Sequence, residues 1–460
     1  MKKILFILIL IYFLFAIVKS FSLRWLLHML AIAFLLLAAL ALARDIQREY
    51  HKSIAKKNAE YVHLLNQERS QGPRVIVQNV AETVCNIHIK EESPDGPYFH
   101  YVEILAHEKE AYDAMFQSIK NAKHHIHAEY FIIKNDQIGT KIKNLLIQKK
   151  REGLEIRLIY DGFGSLLMQR KYIRELKNAG IEVATFSPLW QGICNVSMNY
   201  RNHRKMLIID GETCMMGGRN IGDEYFGKKT KIGKWKDLDI LLKGSGVAQV
   251  QSVFLRDWYM AKGQMLMDKK YYKENIENRE NIPVQIITGG PDSPQNHIEH
   301  AYFSMVNAAR KQIFIITPYL IPTESMITAL ENAVFRGVDV QILIPINSDN
   351  LVAKYATNLW AKRLAKSGVK VFQYQNGFIH SKMIAVDDKI ASIGTANFDY
   401  RGMQRDYEML AVIYHENYVR QLKAYFQIFM DQSKKIEVEK REGFLDIMGM
   451  QFIKLIRESL

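Results

Sequence analysis

Cysteine is scarce in this chain. Its three cysteines, Cys85, Cys194 and Cys214, lie far apart and in no metal-ligand spacing. That argues against a disulfide framework and against a zinc site, and fits a reducing compartment. Acidic charge is also in deficit: 48 Asp and Glu stand against 62 Lys and Arg, a formal charge of +14. Such a balance suits anionic partners such as nucleic acid, phospholipid headgroups or an anionic leaflet. A solvated surface gives the same number, so charge alone does not choose between them. What the chain does have is length and apolar content. At 460 residues and 48% hydrophobic, it can form two compact domains, or one large domain with an internal duplication.

The apolar residues are most concentrated at the N-terminus. Ile4 to Val18 is unbroken after Lys2 and Lys3; Lys19 and Arg24 interrupt; Trp25 to Ala43 is a second run with only His28 polar. The second run has the length of a membrane span, and snorkelling of Lys19 lets the first continue to Leu23. Arg44, Arg48, His51, Lys52, Lys56 and Lys57 follow. Flanking charge of this kind predicts a two-span hairpin with both ends in the cytoplasm, in preference to a cleaved signal peptide followed by one anchor. Residues 46–73 read as a charged linker ending at Gly72-Pro73.

Beyond it, short β-rich runs alternate with helical stretches. Strands are expected at Ile126–Ile133, Glu155–Tyr160, Val183–Phe186, Lys205–Ile209, Ile313–Ile316, Val338–Ile344, Val369–Tyr374 and Met383–Val386, with helices such as Ala111–Asn121 and Tyr302–Arg310 between them. This alternation predicts an α/β fold, a mixed or mostly parallel sheet with helices on both faces. The C-terminal segment from Gly443 carries Phe444, Leu445, Ile447, Met448, Phe452 and Ile456 at helical spacing, which predicts a helix packed on the domain in preference to one lying on a membrane.

Four blocks repeat in order. SIKNAKHHIHAEYFII, EIRLIYDGFGS and KNAGIEVATF precede a stretch at His203; NAARKQIFIITPYLIP, DVQILIPINSD and AKSGVKVFQY precede one at His380. The chain therefore divides into halves at 74–266 and 284–460, with a charged junction at 267–283. Both histidine stretches fit H-x-K-x4-D-x6-G-x2-N, as His203, Lys205, Asp210, Gly217, Asn220 and as His380, Lys382, Asp387, Gly394, Asn397. A single His-x-Lys is usually surface decoration, but this pattern recurs five positions deep at equivalent places in a repeat.

On a strand, positions i and i+2 share a face, so each half offers an imidazole and an ammonium together, and the Gly turn brings an asparagine back beside them. Two such halves make a phosphate site. Two lysines and two asparagines cradle the non-bridging oxygens, one histidine attacks phosphorus, and the other protonates the leaving alcohol. The pattern itself does not say which histidine does which. Asp237 and Glu408 are candidates to orient the histidines. Asp210 and Asp387 belong to the motif and are counted with the catalytic set. Their odd step from the lysine turns them to the opposite face, where fixing a loop is the expected role. The chemistry calls for no metal and no cofactor.

NYRNHRKMLIIDG, GGRNIGDEYFG, WKDLDILLKG, GGPDSP, TPYLIPTESM, YQNGFIHSKMIAVDD and GTANFDYRGM together resemble the bacterial cardiolipin synthases of the phospholipase D superfamily. The resemblance runs from about residue 74 to about 430. It implies two phospholipase D-like sandwich halves related by pseudo-twofold symmetry, preceded by the membrane hairpin. It also implies transfer of a phosphatidyl group between two phosphatidylglycerol molecules through a phosphohistidine. By the same resemblance His203, Lys205, His380 and Lys382 are catalytic, with His203 the nucleophile. Asn220 and Asn397 are then phosphate ligands, and Asp237 and Glu408 support the histidines. The family commonly has serine and asparagine where this chain has Gly402 and Asp406. The expected partners are phosphatidylglycerol and membrane lipid, with no nucleic acid, and the expected location is the cell membrane with the catalytic domain cytoplasmic. The competing functions are a phospholipase D-type hydrolase, a nuclease using the same histidine chemistry, and an inactive membrane scaffold.

Overall fold

A computed structural model describes residues 61, 64–65, 97–166, 168, 170–186, 200–244, 246–273, 282–293, 295–437 and 444–456. The expected membrane hairpin and almost all of the charged linker lie outside these residues, as do Cys85, Cys194 and Trp190. No helix among the described residues is long and apolar enough to cross a membrane.

The strands are β1 (Tyr98–Leu105), β2 (His125–Tyr130), β3 (Glu155–Asp161), β4 (Glu182–Phe186), β5 (Met206–Ile209), β6 (Thr213–Gly217), β7 (Lys234–Lys236), β8 (Asp239–Lys243) and β9 (Ile282–Gly289). They continue with β10 (Gln312–Ile316), β11 (Asp339–Pro345), β12 (Lys370–Tyr374), β13 (Gly377–Ile379), β14 (Met383–Val386), β15 (Ile390–Gly394), β16 (Glu408–Ile413) and β17 (Ser433–Lys435). The expected strands fall on eight of these, most within a residue or two. Fifteen strands form one sheet in the order β17-β12-β11-β10-β14-β15-β16-β9-β1-β8-β6-β5-β2-β3-β4. Read outward from the antiparallel contact of β1 with β9, the order is the same in both directions until β17 is added at one edge. Parallel trios β2-β3-β4 and β10-β11-β12 sit towards the two ends, and antiparallel strands fill the middle. β2 and β16 are buried along their whole length, as expected for strands covered on both faces.

The helices are α1 (Glu108–Asn121), α2 (Gln137–Arg151), α3 (Arg170–Asn178), α4 (Val247–Lys262), α5 (His297–Ala308), α6 (Glu324–Phe335), α7 (Leu351–Lys366), α8 (Tyr400–Gln404), α9 (Glu416–Met430) and α10 (Phe444–Ile456). Their starts are set locally. Asp136, Thr323 and Asn350 each accept from a backbone N–H of the first turn that follows. Helices α4 and α9 bury one continuous core against the middle strands of both halves. On the other face α1, α2 and α3 build one core, and α5, α6 and α7 build a second. Tyr61 and Leu65 are helical and join the shared core, where the Tyr61 hydroxyl donates to the Leu266 carbonyl at 3.2 Å. The C-terminal α10 packs on α7 and buries Ile453. The segment read as a charged junction also contributes to the interior: Tyr271 and Tyr272 are buried.

Candidate active site

His203 precedes β5 and His380 precedes β14. Each lies beyond the carboxyl end of the strand beside it, because Glu129 of β2 faces Met206 and Ile316 of β10 faces Met383. Backbone contacts then cross between the halves. Asn202 bridges Tyr407, and the His203 N–H donates to the Tyr407 carbonyl at 3.0 Å. In the mirror contact, β13 pairs in parallel with β7, Ile379 facing Lys236, and the His380 N–H donates to the Lys236 carbonyl at 2.7 Å. The next residue along each partner is a carboxylate. His203 Nδ1 therefore meets Glu408 Oε1 at 2.8 Å, and His380 Nδ1 meets Asp237 Oδ2 at 2.7 Å. Each histidine takes its carboxylate from the other half of the chain.

The ring faces are packed as well. Phe131 meets His203 edge-on at 4.9 Å between centroids, and Trp235 lies 4.8 Å from His380. Lys205 Nζ donates to the His203 carbonyl at 2.6 Å, while Lys382 Nζ lies 2.8 Å from His380 Nδ1 and 3.0 Å from its Nε2. Both lysines are buried. Burial, partly offset by Glu408, brings Lys205 down to about 7. Burial, partly offset by Asp237, brings Lys382 down to about 8. The histidines are lowered too. Burial and then Lys205 and Lys382 hold His203 well below its ordinary value, and burial and Lys382 hold His380 at about 4 against the pull of Asp237.

The two carboxylates differ. Burial works against ionisation of Asp237, but His380, Lys382 and Arg219 outweigh it and hold the carboxyl at about 2. Burial, with Asp406 adding to it and Lys205 opposing it, pushes Glu408 up to about 8. Glu408 also accepts from the Thr395 hydroxyl through its second oxygen. At the matching place in the first half stands Gly218, and a side chain there would occupy the position of Asp237 Oδ1.

Asn220 Oδ1 accepts from the Ile132 N–H at 3.0 Å, and Asn397 Oδ1 is buried with no hydrogen-bond partner among the described residues. Asp210 and Asp387 are not part of this constellation, which corrects their place in the catalytic set. Both sit at the far end of their strand with φ +56°, at the tight turn that follows. Asp210 accepts from the N–H groups of Lys123, His124 and His125, and Asp387 from those of Arg310, Lys311 and Gln312. Each is a clamp that fixes the start of β2 or β10.

Sequence reasoning missed the polar scaffold beneath the site. Arg204, the middle residue of the first His-x-Lys, is fully buried and pairs with Asp257 at 2.6 Å, with further bonds to the Glu408 and Gly289 carbonyls. Arg219 pairs with Asp239 at 2.7 Å and donates to the Asp237 carbonyl at 2.9 Å. No local signal marked them: Arg204 lies between His203 and Lys205, and Arg219 between Gly218 and Asn220. Among the described residues no group of three or more His, Cys, Asp or Glu side chains is arranged to hold a metal.

The chain has known counterparts. The family model described as "Cardiolipin synthase, PLD-like domain" matches residues 115–258 and 302–430. The chain belongs to that family. It is 41% identical over 337 residues to "Cardiolipin synthase 2" of Bacillus anthracis, covering 73% of this chain and 66% of that protein. It is 38% identical over 337 residues to "Cardiolipin synthase" of Geobacillus sp. (strain WCH70), covering 73% and 67%. The chain thus spans about two thirds of the length of these relatives. The crystal structure of phosphatidylserine synthase from Haemophilus influenzae Rd KW20 shares the fold at 15% identity, with a TM-score of 0.61 over 79% of this chain and 97% of that one.

Proposed function

We propose that this protein is a phosphatidyltransferase that joins two phosphatidylglycerol molecules into cardiolipin and releases glycerol. The observation that carries the reading is the crossed pairing: two buried His-x-Lys motifs, each with its histidine held through Nδ1 by a carboxylate of the opposite half. Holding Nδ1 directs the chemistry of each ring to Nε2, which in His380 also lies 3.0 Å from Lys382 Nζ.

His203 Nε2 attacks the phosphorus of the first lipid. The phosphorus–oxygen bond to glycerol breaks, and His380 gives its proton to the leaving glycerol oxygen. His380 then takes the proton from the hydroxyl of the second lipid. That oxygen attacks phosphorus, the phosphorus–nitrogen bond breaks, and His203 is regenerated. The asymmetry of the carboxylates supports this assignment. His380 has the ionised Asp237 as its partner, which pulls its pKa upward against burial and Lys382, and the negative charge of a bound phosphodiester raises it further towards the protonated ring that the leaving oxygen needs. His203 is flanked by two lysines and a carboxyl shifted towards neutrality, which favours a neutral nucleophile. Lys205, Lys382, Asn220 and Asn397 bind the non-bridging oxygens. A bound phosphodiester adds negative charge between the lysines and keeps them protonated.

In the same reading residues 1–45 form a membrane hairpin and 46–73 a linker. Residues 74–266 and 284–460 are pseudo-twofold halves joined by 267–283, and the catalytic part faces the cytoplasm as part of a multi-pass membrane protein. The test is product analysis. Purified full-length protein in liposomes receives phosphatidylglycerol alone, with lipids read by mass spectrometry and glycerol assayed in parallel. Cardiolipin and glycerol in equal amounts are expected. Phosphatidic acid in place of cardiolipin would overturn the transfer reading and leave a hydrolase.

A further inference from the structure

The exposed large apolar side chains are unevenly placed. Both histidines lie beyond the carboxyl ends of the parallel trios. The segments that leave the same edge carry Phe163 and Leu166 after β3, Phe226 after β6, and Leu351, Val352 and Tyr355 in the first turns of α7 after β11. Leu351 is 81% exposed, Leu166 60% and Phe163 54%. Tyr355 also touches α10 beside Gly449, and α10 adds exposed Met448 and Phe452 to the same corner. These side chains come from both halves and lie at the same carboxyl edge of the sheet as His203 and His380. Basic residues follow the tips. Lys228, Lys229, Lys231 and Lys234 come after Phe226 and are exposed; Arg170 and Lys171 come after Leu166.

We infer that this rim is a docking surface for a phospholipid bilayer, the apolar tips entering the headgroup layer and the lysines meeting anionic headgroups. The inference rests on the lipid-transfer reading and adds how the substrate arrives. Apolar tips interleaved with cations are the chemistry of an interfacial site, and the chain's +14 charge complements an anionic leaflet. The geometry gives a reason. The side chains of His203 and His380 are only 12% and 6% exposed. The scissile phosphodiester of a diacyl lipid lies at the headgroup plane, a short reach above its acyl chains. A mouth pressed onto that plane admits the phosphodiester without drawing both acyl chains into water.

Leu351→Asp is the informative variant. It removes the most exposed tip, and an acid in the first turn of α7, which has none, suits the helix. Phe335→Asp is the control, because Phe335 is 78% exposed at the end of α6, just before the amino end of β11 and so at the opposite edge. Full-length proteins are assayed on vesicles of phosphatidylglycerol and on a short-chain, monomeric phosphatidylglycerol. In parallel, vesicles carrying a phosphatidylglycerol with a photoactivatable acyl chain are irradiated, and labelled peptides are mapped.

Leu351→Asp combined with Leu166→Asp should lower the vesicle rate by about tenfold or more and leave the short-chain rate within about twofold. Phe335→Asp should change neither. Acyl label should appear on the peptides carrying 163–166 and 351–355, and not on the one carrying Phe335. Unchanged vesicle turnover with no label on the rim overturns the inference while the transfer reading stands. Cross-links between copies of the chain at the rim also overturn it, in favour of self-association. A wild type inactive on both substrates overturns the transfer reading, and the label map still decides the rim.

Discussion

The two halves of the molecule place the same histidine–carboxylate pair in different electrostatic surroundings. At the turn after β6, Arg219 pairs with Asp239, which faces Gly217 across β8. At the equivalent turn after β15 stand Ala396 and Leu410, which faces Gly394 across β16. One half therefore has a buried cation beside its carboxylate Asp237. The other has an apolar pair at that turn, with Asp406 beside Glu408, and its buried cation, Arg204, reaches the Glu408 carbonyl from a pair with Asp257. The repeated scaffold keeps the histidine–carboxylate pairs alike and differs in the residues behind them. Burial lowers both histidines, but only His380 is pulled back up by an ionised carboxylate, so the two are biased towards different roles once an anionic phosphodiester binds.

The largest expected effect breaks both halves equally. His203→Ala and His380→Ala should each lower turnover by at least about 10³-fold with the circular dichroism spectrum unchanged. The comparison sharpens when the reaction is quenched in acid-free denaturant and adducts are mapped: lipid phosphate should be found on His203 and none on His380. Adduct on His380 would exchange the roles assigned here.

Next come the carboxylates, whose effects should be unequal. Asp237, held at about 2, is ionised throughout the neutral range, so Asp237→Asn removes a full charge from His380 and should cost about 10²-fold in kcat at pH 7. Glu408, pushed up to about 8, is largely protonated at pH 7, so Glu408→Gln resembles it and should cost only about threefold. Above pH 8 Glu408 ionises, and the penalty of Glu408→Gln should grow. Equal penalties at pH 7 would show that the two pairs are not differently poised.

Arg219 tests the origin of the difference. Arg219→Ala alone strands Asp239 in the interior and should cost about 3–5 kcal/mol of stability, read by thermal unfolding. Adding Asp239→Leu reproduces the pair found at Ala396 and Leu410, and should recover most of that loss. In Arg219→Ala Asp237 loses a cation that keeps its carboxyl ionised, so its pKa rises; in the double variant the neighbouring Asp239 charge goes as well, and the rise should be smaller. The ionised form supports His380 and is lost as pH falls through that pKa. The acid limb of kcat/KM should therefore move to higher pH.

Much of this was legible in the chain. Strand positions followed from β-rich runs between turn residues, and the repeat with its doubled motif picked out the histidines and lysines that the fold brings together. The turning of Asp210 and Asp387 away from the lysines followed from strand parity, and their hydrogen bonds give that orientation a purpose. The crossing of Asp237 to His380 and Glu408 to His203 was hidden. Both carboxylates follow a motif at similar offsets, and distance along a chain does not show which half a parallel bridge will join. Arg204 and Asp257 were hidden for a related reason: nothing in a local pattern distinguishes a buried ion pair from two solvated charges.

The smallest effect concerns Asp406, where the family commonly has asparagine. Asp406 pairs with Arg401 at 2.7 Å and accepts from the Arg201 N–H at 3.2 Å. An asparagine side chain would keep the second bond, so Asp406→Asn should leave stability within about 1 kcal/mol and kcat/KM within about threefold. Its value lies in a double variant. Removing the negative charge lowers the pKa of Glu408, so more Glu408 is ionised at pH 7. Replacing Glu408 by Gln should then cost more in the Asp406→Asn background than in the wild type. A coupling of about 0.5–1 kcal/mol in the kcat/KM cycle is expected. It should vanish above pH 8, where Glu408 is ionised in both backgrounds. A cycle that closes additively at pH 7 would separate Asp406 from the poise of Glu408 and leave burial as its cause.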